Sequence, residues 1–347
     1  MFETLRKFVK EKQNYPKPNK IAILKIGAIG DVLMSTPFVR SLRNEFSEAQ
    51  IDYWTGKWSA PIIETNTNLN KVIPFDEKIF YDKKKFALLK LARQIRKEKY
   101  DMLLLLDKSW MVGVFGIMTG IKTRVGFDRA GEGWGHNIRV PYGLRKHEMA
   151  FYLDLAKAVG GKDTALKMDL ELNEADEKEA HKFMREFKVT RGCIGLVPGG
   201  AKNPGQNMAS RRWPYFTDLS KKIEEKIVLF GGPGDDEIAQ KIIAIRPDAI
   251  NACGKLSLRA TAALMKFCKL IITNDAGPMH LAGAVGVPTL GIFGPTDPIR
   301  KAPDKWVWHE MNLDEAEVFA KYSPDAMNNI NKVSVNEVLR AIKNFEE

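Results

Sequence analysis

IITNDAGPMHLAGAVGVPTLGIFGPTDP, residues 271–298, joins two apolar, strand-like runs through a polar turn and a short helix. Ile271, Ile272 and Thr273 end one strand, residues 274–277 form the turn, and Pro278 fits the first turn of a helix, where its missing N–H is no loss. The helix is expected over about 278–285, ended by Gly286, with the next strand at 288–293. Small residues let the backbone approach a ligand, and the free N–H groups of a helix start carry partial positive charge suited to a diphosphate. Asn274, Asp275, Ala276, Gly277, Met279 and His280 are therefore a candidate phosphate rim. Many doubly wound proteins have such a turn without a ligand, so the turn alone leaves a structural and a binding role both open.

The same alternation runs through the chain. Strands are expected at 21–26, 50–55, 72–75, 102–106 and 124–127, with helices near 31–46, 84–97 and 111–119. Helices at 147–159 and 174–187 lead to a second set, with strands from Cys193, at 227–232, near Ile250 and at 270–273. Its helices follow Pro214, Asp235 and Ser257. Strands separated by helices of this length imply parallel sheets with right-handed crossovers. The expected fold class is α/β, with two Rossmann-like, doubly wound domains facing a central cleft. Its parts are a basic extension (1–20), a first domain (21–170), a second (171–327) and a closing helix within 328–347.

With 347 residues, 44% apolar and 28% charged, the chain suits two globular domains. No apolar run approaches the roughly 20 residues that span a bilayer, and MFETLRKFVKEK has no signal-peptide core, so a cytoplasmic location is expected. Cys193, Cys253 and Cys268 lack metal-site spacing and read as buried thiols. The net charge of +11 implies an anionic partner. Residues 1–20 hold six Lys/Arg against two acids, and residues 78–99 hold nine against Asp82 and Glu98. Either stretch suits peripheral contact with an anionic bilayer. For the second, a core stripe of Phe86, Leu88, Leu89, Ala92 and Ile95 under a solvated face is the preferred reading. Nothing resembles a nucleic-acid-binding motif.

The turn after the first strand holds two glycines, Gly27 and Gly30, where a dinucleotide fingerprint needs three, which disfavours a nicotinamide cofactor. Asp31 follows that turn, where a carboxylate opens onto the ligand crevice of a doubly wound sheet; helix capping is the structural alternative. In the second half, VPGGAK (197–202) and SRRWP (210–214) place Lys202 and Arg211 near a strand end. Asp235 and Asp236 follow a further glycine turn at 231–234, where helix capping is again the alternative.

Three strings carry a family likeness. N-D-A-G-P-M-H-L-A with G-V-P-T and F-G-P-T-D-P resembles the donor-binding segment of the heptosyltransferases, the ADP-heptose:lipopolysaccharide transferases of glycosyltransferase family 9. K-I-G-A-I-G-D-V-L-M-S-T-P (25–37) resembles their first motif, and R-R-W-P (211–214) their K/R-x-W-P motif. The resemblance covers roughly residues 21–298 and implies the GT-B architecture, whose last helix commonly packs back on the first domain. It implies Asp31 as general base, beside the acceptor-side turn Gly27 and Gly30. Arg211, with Lys202 as second candidate, would hold phosphate. Asp235 or Asp236 would hold the ribose, and Leu256, in GKLSL, would lie against adenine. His280 and the N–H groups of Gly277 and Met279 would offset charge on the leaving diphosphate, and Asp275 would contact sugar hydroxyls.

No metal or cofactor is expected beyond a nucleotide-sugar donor, since the chain lacks D-x-D and its Arg/Lys and helix dipole carry the same charge. The implied reaction is direct displacement with inversion, from ADP-L-glycero-D-manno-heptose to an anionic, lipid-linked core oligosaccharide at the inner leaflet. Alternatives are a family 9 transferase with another nucleotide sugar, a GT-B nucleotide-sugar epimerase, and a non-catalytic nucleotide-binding protein. A basic, membrane-facing N-terminus would have no use in an epimerase of soluble nucleotide sugars.

Overall fold

The structure, a computed structural model, describes residues 17–143, 145–203, 206–303, 305–309 and 328–345, with residues 202, 203, 206 and 207 described by backbone alone. Residues 1–16, most of the basic extension, lie outside the described residues, as does the side chain of Lys202. The first half is a parallel sheet of β1 (Lys20–Lys25), β2 (Gln50–Gly56), β3 (Lys71–Phe75), β4 (Met102–Leu105), β5 (Thr123–Asp128) and β6 (Ile138–Pro141), in the order β3-β2-β1-β4-β5-β6. The second half begins at β7 (Cys193–Val197), followed by a small antiparallel ribbon, β8 (Lys202–Asn203) with β9 (Gln206–Asn207). Then β10 (Ile227–Leu229), β11 (Ile250–Asn251), β12 (Cys268–Asn274), β13 (Thr289–Ile292) and β14 (Lys305–Val307) complete a second parallel sheet, in the order β11-β10-β7-β12-β13-β14.

Both sheets start at the centre, wind outward one way and then the other. The reversal falls between β1 and β4 in the first and between β7 and β12 in the second. At such a reversal, loops at the carboxyl ends of adjacent strands diverge and open a crevice. Residues 26–31 and Asp107 occupy it in the first half, and residues 198–201 and 275–277 in the second. The central strand β1 is apolar on both faces because both are covered. Ile21 and Ile23 enter one cluster, and Ala22 and Leu24 enter another with Leu103 and Leu105. The first of these clusters continues into the second half through Ile250, Ile271 and Leu281. The Arg259 guanidinium strengthens that junction, donating to the Pro61 carbonyl (3.1 Å) and to Asp176 Oδ2 (2.9 Å).

Several expectations are corrected. The single helix at 31–46 is two, Ile29–Met34 and Thr36–Glu45, because Pro37 has no N–H to continue the ladder. Two hydroxyls take over, Ser35 Oγ donating to the Val32 carbonyl (2.7 Å) and Thr36 Oγ1 to that of Leu33 (2.8 Å). The closing helix, Val335–Lys343, packs on the second half and not the first: Val338 is buried with Phe216, Leu219 and Ile223. Trp213 Nε1 ties the same segment down by donating to the Val333 carbonyl (2.7 Å). Phe86 leaves the core stripe; Leu88, Leu91, Ala92 and Ile95 fill it, while Phe86 is 89% exposed.

The halves also meet at Gly30. A Cβ there would stand 2.2 Å from His280 Cδ2, so a hydrogen at this position is what lets the two helix starts pack together. We expect Gly30→Ala to cost about 1–3 kcal/mol by overpacking, read from denaturant unfolding, with the double variant Gly30→Ala/His280→Ala losing less than the sum of the single ones. Additive losses would contradict the contact.

Candidate active site

Asp31 is the third residue of its helix, whose N-cap is Ala28, so it does not cap. Its carboxylate faces the second half of the chain. Oδ1 accepts from Lys301 Nζ at 2.7 Å and Oδ2 lies 3.8 Å from Lys25 Nζ. Lys25, the last residue of β1, is buried and also paired with Asp107, which accepts a further bond from the Ile26 N–H (2.7 Å). Burial opposes the charge on Asp31, but Lys301, Lys25 and Lys108 outweigh it and hold the carboxyl far below the usual carboxylate range. The group is therefore ionised wherever the fold survives.

Further charged groups steady the cluster. Lys108 Nζ donates to Glu148 Oε2 (2.6 Å) and to the Tyr142 hydroxyl (2.9 Å), and Arg300 reaches the same hydroxyl at 3.4 Å. Burial raises the pKa of Glu148, yet Lys301 and Lys108 pull it down to about 2. Lys301, Lys108 and Glu148 escaped the reading of the sequence, because their roles depend on partners far away in the chain.

Across the cleft, β12 ends in the helix Gly277–Ala284, which no side chain caps. Asp275 is buried and bound by Thr296 Oγ1 (2.5 Å) and by Arg211 (3.2 Å). This pair places the Arg211 guanidinium beside the helix start. Thr296 belongs to the FGPTDP string and went unassigned. Asp297, next to it, is gripped by Arg145 from the first half (2.6 and 3.2 Å).

Three expected donor contacts change character. The Asn274 amide is fully buried and engaged inside the protein: Oδ1 accepts from the Trp213 N–H (2.9 Å), and Nδ2 donates to the carbonyls of Pro198 (3.0 Å) and Gly199 (3.1 Å). It braces the loop after β7 against the turn after β12 and has no hydrogen to spare for phosphate. Met279 is buried against Phe293 and Ala302, and its N–H is bonded to the Ala276 carbonyl (3.0 Å). His280 is buried, and burial followed by the Lys301 charge pushes its pKa down to about 4. The imidazole is neutral at pH 7, so what it offers a diphosphate is a hydrogen bond and no full positive charge.

The rest of the rim forms by close backbone approach. A Cβ on Gly200 would lie 2.8 Å from Ala276 Cβ, and one on Gly199 would lie 2.3 Å from Asp235 Cγ. Asp235 is buried and accepts from the Gly232 N–H (2.9 Å), while the exposed Asp236 accepts from Asn251 Nδ2 (2.7 Å). A Cβ on Gly254 would stand 2.7 Å from Pro233 Cα, which seats the loop bearing Leu256, half-buried, beside the Asp235 turn. The ends of β12, β7, β10 and β11 thus form one continuous edge. On the first-half side, a small open pocket is lined by Gly27, Ala28, Trp58, Glu77 and Tyr81.

The model of glycosyltransferase family 9 (heptosyltransferase) matches residues 88–315. The chain is 27% identical over 303 residues to lipopolysaccharide heptosyltransferase 2 of Escherichia coli (strain K12), covering 80% of this chain and 84% of that one. In structure it is similar to the glycosyl transferase family 9 from Veillonella parvula DSM 2008, with a TM-score of 0.79, 24% identity and coverage of 94% and 97%. It is also similar to E. coli ADP-heptose lps heptosyltransferase II, with a TM-score of 0.72, 22% identity and coverage of 94% and 98%. The two-sheet fold is the GT-B fold of these structures.

Removing the nearest cation should release Asp31. In a carbon-13 titration of the carboxyl signals, the wild-type Asp31 is expected to stay ionised across the carboxylate range, and Lys301→Met to raise its midpoint by about 1–3 units. An unchanged midpoint would mean that Lys301 does not set this charge.

Proposed function

Because this chain belongs to glycosyltransferase family 9 and is a glycosyltransferase, we propose that it moves a heptose from ADP-heptose to a lipid-linked lipopolysaccharide core, with inversion and without a metal. The observation that carries this reading is an ionised carboxylate, Asp31, at the reversal point of one sheet, facing an uncapped helix start and Arg211 at the reversal point of the other. The names of the relatives support the substrates: lipopolysaccharide heptosyltransferase for one, ADP-heptose for another.

In the proposed reaction an acceptor hydroxyl gives its proton to Asp31 as its oxygen bonds to the anomeric carbon. The bond from that carbon to the diphosphate breaks, and the electron pair leaves with ADP. Arg211 and the start of the helix Gly277–Ala284 stabilise the charge that develops on the leaving phosphate. Lys202 is a further phosphate ligand in this reading, the neutral His280 a hydrogen-bond partner, and Asp275 the group that orients Arg211 and meets sugar hydroxyls. Ribose and adenine lie along the edge formed by Asp235, Asp236 and Leu256.

The acceptor enters beside Gly27 and Gly30. There Trp58 and Tyr81 offer flat apolar faces to a sugar ring and Glu77 accepts from its hydroxyls. Lys301 couples the two sides, since it belongs to the donor half and neutralises the base of the acceptor half.

With ADP-heptose, a heptose-accepting core oligosaccharide and EDTA, the purified chain should turn over and give a product of inverted anomeric configuration. Asp31→Asn should keep its affinity for ADP and lose about 10² or more in kcat. Full turnover by that variant would remove Asp31 from the role of base, and dependence on added divalent cation would remove metal independence.

A further inference from the structure

The helices Lys85–Lys97 and Trp110–Met118 share a core on one face of the first sheet, through Leu88, Leu91, Ala92 and Ile95 of one and Val112 and Phe115 of the other. Their outer faces are unusual. The second helix, WMVGVFGIM, contains no charged residue, and it exposes Trp110 by 53% and Ile117 by 44%, two turns apart on the same side. The first exposes Phe86 by 89%, the most of any large apolar side chain among the described residues. All nine Lys and Arg of residues 78–99 are exposed as well. The two acids of that stretch are already paired, Asp82 with Lys84 (3.1 Å) and Glu98 with Lys20 (2.8 Å).

A protein interface with this composition would be poor, because Lys is depleted where two proteins meet. A bilayer with anionic headgroups suits it: lysines are attracted to the surface, and Trp and Phe are favoured at the boundary between headgroups and acyl chains. The location fits the site. A crossover helix begins at the carboxyl end of a parallel sheet, so Phe86 and Trp110, each in the first turn of its helix, share the edge that bears Asp31. Trp110 stands three residues beyond Asp107, the partner of Lys25 in the Asp31 cluster.

We propose that Phe86, Trp110 and Ile117, with the exposed Lys83, Lys84 and Lys85 next to Phe86 in the chain, are a membrane-docking face that seats the acceptor side of the cleft on an anionic bilayer. The purpose given to this face rests on the lipid-linked acceptor proposed above; the binding itself does not.

Flotation of the intact chain with vesicles of phosphatidylglycerol and phosphatidylethanolamine, and with vesicles of phosphatidylcholine alone, tests it. The wild type should bind the anionic vesicles at least about tenfold more tightly than the zwitterionic ones, and release on raising the salt. Phe86→Ser/Trp110→Ser should lose about tenfold in that binding, with melting temperature and turnover of a water-soluble acceptor unchanged. Wild-type binding by this variant, equal binding to both vesicle types, or loss of binding only on removal of residues 1–16 would each overturn the proposal. Failure of the transferase reading would show separately, as absent turnover of the soluble acceptor by the wild type.

Discussion

A carboxylate largely withdrawn from water at the end of a parallel sheet has to be matched by cations, and the architecture around Asp31 follows from that requirement. Lys25 supplies one from β1 itself, Lys108 another from the end of β4, and Lys301 the third from the opposite half. Two of these cations are themselves balanced by a further acid, Lys25 by Asp107 and Lys108 by Glu148. Removing one group therefore leaves another buried charge without its partner, which is costlier than the loss of a surface ion pair. The Lys301 contact and the close fit of Gly30 against His280 together fix how the first sheet's crevice faces the second's.

The second half solves a different problem. It has to hold loops from four strand ends close enough to form one edge while leaving a helix start open. Asn274 accomplishes the first task by spending its whole amide on the loop after β7 and on Trp213. Glycines at 199, 200 and 254 allow backbone contact where a side chain would collide. The helix start stays open because Ala276, at its N-cap, has no side-chain acceptor to offer. Asp275, held by Thr296 and Arg211, then brings the guanidinium to the same place.

How much of this could be read in advance depended on the range of the interaction. Buried central strands such as IAIL and LIIT announce themselves because both faces are covered. The edge strands β6 and β14 went unread, being four and three residues long and carrying exposed residues. The break at Pro37 follows from a missing backbone donor, a local effect that the apolar periodicity concealed. Asp31, Arg211 and the turn at 274–280 stood out through turn chemistry and family likeness, and the structure places them along one cleft. Lys301 did not stand out, since its partner lies 270 residues away and nothing in RKAP marks it. Asn274 and Met279 were read as ligand contacts because they sit within the telling string, yet their side chains are consumed by packing. A conspicuous motif thus mixes residues that line the cleft with residues that hold the others still.

We propose that the edge around Arg211 and the helix start forms an adenosine-diphosphate site without a metal, opposite an ionised Asp31. The most direct test is the thermal shift of the purified chain with ADP, UDP, GDP, CMP and NAD in the presence of EDTA. A ligand at about 100 times its dissociation constant stabilises a folded protein by about 2.7 kcal/mol. ADP should give a shift of that size, the other nucleotides much less, and Arg211→Ala should remove the response. Equal shifts with UDP or GDP, or no response to ADP until a divalent cation is restored, would contradict it.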